Sequence, residues 1–197
     1  MHVMAAMQRP ESDETGLVAK LAAGCEESWL TLYRRYQGRI FRFALQMSGS
    51  RALAEEATQE TFLAFLDRSG RFDRARGTLG NLLLGIARNK TLSLLEKERP
   101  GVRLEDQDLE PVSGDAERSL MRQAVRAAVL ALPEGYREVV VLCELEELDY
   151  AAAAVMLNCP VGTVRSRLHR ARQMLAERLA GRLARNGPVA ALSERKK

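Results

Sequence analysis

The chain is poor in the residues that build metal sites and disulfide frameworks. Its 197 residues include only three cysteines and two histidines. Cys25, Cys143 and Cys159 are odd in number, widely spaced and form no CxxC pair. This pattern argues against a structural zinc site, and three reduced thiols are typical of a cytosolic protein. We therefore expect no metal and no cofactor.

Long apolar runs are also lacking. No segment approaches the ~20 consecutive apolar residues that a membrane-spanning helix needs. Residues 1–10 contain no sustained apolar core of the kind found in signal peptides. Aromatic residues are few, with five Phe, four Tyr and one Trp, so we expect cores built mainly from Leu, Ala and Val. The sequence thus predicts a soluble, cytoplasmic protein without membrane insertion.

The distribution of charge is more informative than the net charge, which is only +4. Between Thr163 and Arg185 the chain has seven arginines against one acid. Between Leu104 and Glu117 it has six acids and no base. The first segment is a candidate for contact with phosphates, and the second is typical of a linker.

Apolar residues recur at helical spacing along the chain, and no strand-like alternation of useful length occurs. The sequence predicts an all-α fold of two small helical domains joined by a flexible linker, the second domain being a helix-turn-helix. The expected boundaries are a disordered N-terminus at 1–13, a first domain at 14–99, an acidic linker at 100–116, a second domain at 117–185 and a tail at 186–197.

The expected helices follow the same periodicity. Those of the first domain cover about 26–47, 52–66 and 79–98, with a basic loop at 67–77. Thr78 has the right residue type and place to cap the last of them. Those of the second domain cover about 117–131, 134–144, 149–157 and 161–184.

Residues 149–172 have the pattern of a helix-turn-helix. Asp149–Leu157 is a short, alanine-rich helix candidate whose small side chains allow a close approach. Asn158 is a residue type that tolerates the left-handed backbone at a helix end. Pro160 suits the first turn of the next helix, where its missing N–H has no consequence. In this motif the second helix enters the major groove of DNA.

This second helix is expected to have two faces. Its apolar stripe consists of Val164, Leu168, Ala171 and Leu175. Its other side carries Arg165, Ser166, His169 and Arg170, with Arg167 and Arg172 on the flanks. Arginine suits guanine edges and phosphates, so this side is the candidate for DNA contact. An ordinary helical hairpin with a solvated basic face is the alternative interpretation.

Two segments resemble one known family. Residues 132–142 (LPEGYREVVVL) together with 160–172 (PVGTVRSRLHRAR) resemble the C-terminal DNA-binding domain of bacterial extracytoplasmic-function (ECF) sigma factors. Residues 54–63 (AEEATQETFL) resemble the segment with which these factors bind RNA polymerase. The resemblance covers about residues 26–98 and 118–180, in the order that the family has them.

The resemblance implies a protein that is not an enzyme but an alternative sigma factor. Such a factor binds core RNA polymerase through the β′ coiled coil and the β flap, selects promoter DNA and helps to melt it. An anti-sigma factor is a further implied partner. The implied polymerase-binding residues are Glu55, Glu56, Gln59 and Glu60. The implied contacts to the −10 element are Arg68, Arg71, Phe72, Arg74, Arg76, Arg88, Asn89 and Lys90. The implied contacts to the −35 element are Thr163, Arg165, Ser166, Arg167, His169 and Arg170.

Three residues depart from the family pattern. Leu82 stands where relatives commonly carry Trp, and Ser93 and Glu96 stand where they commonly carry Asp and Arg. We therefore expect an unusual or weak preference for the −10 element.

The rival hypothesis is a conventional helix-turn-helix regulator that acts without joining polymerase. It explains residues 149–172 but leaves the acidic segment and the basic loop without a use, and such regulators generally dimerise. The sequence contains no nucleophile–base pair, no metal-ligand spacing and no phosphate-cradling glycine loop, which argues against an enzyme.

Overall fold

The computed structural model describes residues 13–67, 72–98 and 116–186. Every regular element in these ranges is helical. The helices are α1 (Asp13–Ala22), α2 (Glu26–Ser48), α3 (Arg51–Leu66), a 3₁₀ turn (Arg74–Arg76), α4 (Leu79–Lys97), α5 (Ala116–Leu130), α6 (Glu134–Val140), a π-helical turn (Val141–Leu145), α7 (Tyr150–Met156) and α8 (Val161–Asn186).

The helices fall into two compact units. The first holds α1, α2 up to Leu45, α3 and α4, and the second holds α5 to α8. The prediction of an all-α chain with two small helical domains is confirmed. Residues 1–12, most of the expected linker and the tail beyond residue 186 lie outside the described residues.

The first unit is built around the apolar stripe of α2. Leu32, Tyr36, Ile40 and Phe43 are buried, and their spacings of three and four residues place them on one side of the helix. On α3, Phe62 is buried. Its ring lies 4.8 Å from that of Tyr33, centroid to centroid. These aromatic contacts join the beginning of α2 to α3.

Helix α1 was not predicted. Its apolar residues Leu17, Val18 and Leu21 are buried. Ten residues are too few for a helix that is stable alone in water, so this burial must hold α1 in place. A further attachment comes from Glu14, which contacts both α2 and the start of α4.

The second unit contains the predicted helix-turn-helix. The carboxylate of Asp149 caps α7 by accepting a hydrogen bond from the backbone N–H of Ala152 at 2.7 Å. Asn158 has a φ of 48°, the left-handed conformation expected of it. The carbonyl of Pro160 accepts the N–H of Thr163 at 2.9 Å, which begins the first turn of α8.

One predicted helix has a different form. The segment predicted as a single helix over 134–144 is α-helical only to Val140 and continues as a π-helical turn through Leu145. There the N–H of Glu146 bonds the carbonyl of Val141, five residues back, at 2.9 Å. Glu147 then takes a φ of 55° and ends the segment. The local periodicity could not show this wider turn, because it changes the hydrogen-bond spacing and not the residue types.

Candidate polymerase and nucleic-acid interfaces

Helix α8 has the two faces that its sequence predicts. Val164 and Ala171 are fully buried and Leu168 is 2% exposed, so this stripe anchors the helix in its unit. Leu175, further along, is half-buried. The residues on the other side are exposed, namely Arg165, Ser166, His169 and Arg170. The helix therefore offers a polar, basic surface on a firmly packed support.

Contacts within the unit orient some of these side chains. The guanidinium carbon of Arg165 lies 5.9 Å from the centre of the Tyr150 ring, within cation–π range. The hydroxyl of Ser166 donates to the carbonyl of Thr163 at 3.1 Å. The Nε2 atoms of His169 and Gln173 lie 3.2 Å apart. Tyr150 was not among the sequence-predicted site residues, because only the fold brings α7 under Arg165.

The two flanking arginines differ from those on the exposed face. Arg167 is half-buried, and its guanidinium lies 3.8 Å from where a Cβ would stand at Gly135, at the start of α6. Arg172 pairs with Glu144 of the π-helical turn, with Nε 3.2 Å from Oε1. The hydrogen bond to Glu144 raises the pKa of Arg172. Both side chains thus contact other residues of their own unit, although Arg172 stays exposed, like Arg165 and Arg170.

The predicted acidic patch lies on one side of α3. Glu55, Glu56 and Gln59 are exposed and Glu60 is half-buried. The opposite side of the helix, including Ala57 and Phe62, is buried. Glu55 binds Arg51 one turn earlier, with Nε–Oε1 at 2.9 Å.

An apolar residue extends this patch. Leu63 is 62% exposed, and it follows Gln59 by one helical turn and Glu56 by two. Leu66 is also exposed. Neither leucine is among the sequence-predicted site residues, although helical spacing places Leu63 on the same face as the acids. Acidic and apolar groups side by side can make both charged and hydrophobic contacts with a partner.

Glu60 also contacts a predicted DNA-binding residue. Its Oε2 lies 2.9 Å from Nζ of Lys90 on α4, and the two side chains are about one third exposed, 33% and 36% respectively. The sequence had placed Glu60 in a polymerase patch and Lys90 in a DNA patch. In the structure the two patches meet at this ion pair.

The predicted −10 residues are distributed over α4 and the segment before it. Arg88, Asn89 and Lys90 lie at mid-helix, and Nη1 of Arg88 donates to Oδ1 of Asn89 at 3.3 Å. Phe72 is half-buried and Arg74 is exposed. Arg68 and Arg71 lie outside the described residues, as does the side chain of Arg76.

The three departures from the family pattern share a stripe of α4. Leu82, Ser93 and Glu96 are all exposed, as is Asn89. Their spacings of seven, four and three residues put Leu82, Asn89, Ser93 and Glu96 along one side of the helix. The unusual residues therefore lie on the exposed side that also carries a predicted base contact, and none of them replaces a core residue.

The start of α4 is held by two caps. The hydroxyl of Thr78 accepts the N–H of Asn81 at 3.2 Å, as predicted. The carboxylate of Glu14, from α1, accepts the N–H of Leu79 at 3.2 Å. The orientation of α4 is thus tied to a residue far away in the sequence.

The described residues show no other obvious chemical centre. Among them, no group of three His, Cys, Asp or Glu side chains could hold a metal ion. No helix in the described ranges is long and apolar enough to cross a membrane.

Comparison with known proteins identifies the class. The Sigma-70 region 2 family matches residues 32–100, and the Sigma-70, region 4 family matches residues 122–175. These are the two units described above, in the same order. Together they define a transcription initiation factor of the sigma-70 type.

Individual relatives narrow the family. The chain is 33% identical over 183 residues to the ECF RNA polymerase sigma factor SigE of Mycolicibacterium smegmatis, covering 87% of this chain and 70% of that one. It is 28% identical over 178 residues to the ECF RNA polymerase sigma factor SigW of Bacillus subtilis, covering 82% and 94%. The chain belongs to the family of ECF RNA polymerase sigma factors.

Solved structures agree with this assignment. The sigma factor RpoE of Bartonella quintana, solved with the anti-sigma factor NepR, matches with a TM-score of 0.67 and 25% identity, over 78% of this chain and 98% of that one. CnrH, solved with the cytosolic domain of CnrY, has the same fold, with a TM-score of 0.66 at 24% identity.

The function follows from the family. The protein is an alternative sigma factor that binds core RNA polymerase and directs it to promoter DNA. The rival hypothesis of a regulator that acts without polymerase is not favoured, because both sigma-70 regions are present.

Proposed function

We propose that the exposed basic side of α8 reads the −35 element, that α4 and the segment before it capture the −10 element, and that the acidic side of α3 docks on polymerase. The observation that carries this division is the two-faced α8. A buried stripe with Leu168 at its centre holds a helix whose other side exposes Arg165 and Arg170. Such a helix is supported rigidly enough to place guanidinium groups against base edges.

The −35 contacts differ in what each can contribute. Arg165 and Arg170 are exposed and suit guanine edges or adjacent phosphates. Ser166 and His169 can add polar contacts. Thr163 lies in the first turn of α8, at the end of the helix that enters the groove. Arg167 is half-buried beside Gly135, which places it at the edge of the interface, where its contribution is limited to the DNA backbone.

Melting of the −10 element requires unpaired bases to be captured as they leave the stack. Unstacking costs a few kcal/mol, which pocket and phosphate contacts can offset. Arg88, Asn89 and Lys90 on α4 supply cationic and amide groups. Arg68, Arg71, Phe72, Arg74 and Arg76 lie just before this helix in the sequence. The exposed Glu96 on α4 weakens the −10 preference, because an anion there repels phosphate. The exposed Leu82 redirects it, because the Trp that relatives commonly carry at this position is missing.

Polymerase docking is assigned to Glu55, Glu56, Gln59 and Glu60, extended by Leu63. Their partner is a basic surface, which the family resemblance identifies as the β′ coiled coil. The second unit docks on the β flap. The acid-rich residues 100–116 link the two units, so that both can bind one polymerase and two promoter elements together.

Two further properties complete the proposal. The protein carries out no reaction of its own and acts in the cytoplasm, where its polymerase and DNA are. An anti-sigma factor controls it, a role supported by the similar sigma factor RpoE of Bartonella quintana, which was solved in complex with the anti-sigma factor NepR.

The test is transcription with purified core polymerase. The full chain should co-elute with core enzyme in gel filtration and support run-off transcription from promoters selected out of a random duplex library. Arg170→Ala should keep the co-elution, bind the −35 element more weakly and relax selection at one or two of its base pairs. A chain that selects DNA equally well without core enzyme, and never co-elutes with it, would contradict the proposal.

A further inference from the structure

The first turn of α4 depends on a distant carboxylate. The N-terminus of a helix leaves its first backbone N–H groups without partners inside the helix. Thr78 accepts one of them, from Asn81, in the usual local way. Another, from Leu79, is accepted by Oε2 of Glu14 at 3.2 Å, across 65 residues of sequence.

The same carboxylate also binds α2. Oε1 of Glu14 accepts a hydrogen bond from the hydroxyl of Tyr36 at 2.6 Å. Glu14 and Tyr36 are each only 7% exposed, so water does not compete freely for this contact. A distance of 2.6 Å is at the short end of the range for hydrogen bonds between oxygen atoms. One side chain therefore joins α1, α2 and the beginning of α4.

A glycine next to this junction leaves room for the Tyr36 ring. A Cβ atom at Gly80 would lie 3.3 Å from Cε1 of Tyr36 and 2.9 Å from Nη1 of Arg39. The absence of a side chain at Gly80 lets the Tyr36 ring reach the first turn of α4. Burial, followed by the hydrogen bond to Glu14, raises the pKa of the Tyr36 hydroxyl, so this hydroxyl remains a donor at neutral pH.

We propose that Glu14 is a positioning residue for promoter opening. It fixes the start of α4 and thereby sets where Arg88, Asn89 and Lys90 meet the −10 element. Residue 14 precedes the Sigma-70 region 2 match at 32–100, so the family match does not assign it this role. The inference rests on the proposed function in one respect, namely that α4 contacts the −10 element.

The test uses the full chain with core polymerase and a promoter duplex selected with the wild-type holoenzyme. The variants are Glu14→Ala, Glu14→Gln and Tyr36→Phe. Lys20→Ala, at an exposed position of the same helix, is the matched control. Three quantities are measured for each: affinity for core enzyme, the rate of opening reported by a fluorescent base in the −10 element, and run-off from the same promoter with a premelted −10 segment.

Glu14→Ala should slow opening of the duplex by about tenfold or more, because it leaves the Tyr36 hydroxyl and the Leu79 N–H without their buried acceptor. Glu14→Gln keeps one oxygen acceptor and should stay within about threefold of wild type, and Tyr36→Phe should lie between the two. Affinity for core enzyme, run-off from the premelted promoter and every property of Lys20→Ala should match wild type.

Opening at the wild-type rate by Glu14→Ala would overturn the proposal. So would an equal loss on the duplex and the premelted promoter, since this would show a role in folding alone. If Glu14→Ala is unfolded at the assay temperature, Tyr36→Phe decides, because it removes a single hydroxyl. If the wild-type holoenzyme opens no promoter, the proposed function itself fails, which is a distinct outcome.

Discussion

Alanine substitutions on the two sides of α8 should affect different properties: stability on the buried side and DNA binding on the exposed side. Leu168 is 2% exposed and lies between the fully buried Val164 and Ala171. Leu168→Ala removes buried methyl groups and leaves a cavity, which should lower the free energy of unfolding by ~2–5 kcal/mol. In a small unit, each kcal/mol lowers the melting temperature by about 4–8 °C. A fall of about 10 °C or more is therefore expected for that unit.

Arg170→Ala should leave stability almost unchanged, because substitutions at exposed positions rarely exceed ~0.5 kcal/mol. Its effect should appear in DNA binding. If Arg170 contacts a base edge, discrimination at one or two base pairs falls by ~1–3 kcal/mol, or roughly 5- to 150-fold. If it contacts a phosphate, affinity falls alike for all sequences. The slope of log affinity against log salt concentration then becomes shallower by about one.

The assay combines thermal melting of the full chain with binding of the holoenzyme to a library of −35 duplexes. The melting temperature shows whether a substituted residue lies on the buried or the exposed face. The affinities across the library show whether it contacts a base or a phosphate. The reasoning is refuted if Arg170→Ala melts as early as Leu168→Ala, or if Leu168→Ala melts with wild type. Either result would mean that the two faces of α8 are reversed.

Three other predictions concern other parts of the chain. Glu56→Lys should weaken binding to core enzyme without changing the melting temperature. Glu177→Lys, at an exposed acid on α8, should leave binding to core enzyme unchanged. Glu60→Lys should weaken this binding and also break the ion pair with Lys90. Asp149→Ala should lower the free energy of unfolding by ~0.5–2 kcal/mol in denaturant titrations, because it removes the cap of α7, and an unchanged midpoint would contradict the cap. Burial and Glu14 raise the pKa of Tyr36 in the folded state, so its contribution to stability is present below its unfolded pKa of ~10 and is lost as pH rises above it. Urea unfolding between about pH 8 and pH 11 should show a steeper loss for wild type than for Tyr36→Phe, and parallel curves would contradict the assignment.

The helix-turn-helix could be predicted because its information is local. Asp149 marks a helix start by its side-chain acceptor, and Asn158 and Pro160 mark the turn between the two helices by their backbone preferences. The apolar stripe of α8 repeats over three turns, which is enough to fix which side is buried. The exposed side of α8 followed from the same pattern.

Helix α1 could not be predicted in this way. Among its described side chains, Leu17, Val18, Leu21 and Glu14 are buried, and three apolar residues within five positions are too short a stretch to show helical periodicity. Besides this apolar burial, α1 is held by contacts of Glu14 with residues 22 and 65 positions away. The pairing of Glu60 with Lys90 and of Arg172 with Glu144 was missed for the same reason, because each joins different helices.

The contact between Glu14 and Leu79 has a consequence for synthesis of the chain. The two residues are 65 positions apart, and ribosomes add roughly 5–20 residues per second. Glu14 therefore leaves the ribosome about 3–13 s before its partner on α4 is available. Tyr36 follows Glu14 by 22 residues and is available after about 1–4 s. The contact with Leu79 forms only later, so the nascent first unit completes its assembly when the start of α4 has emerged.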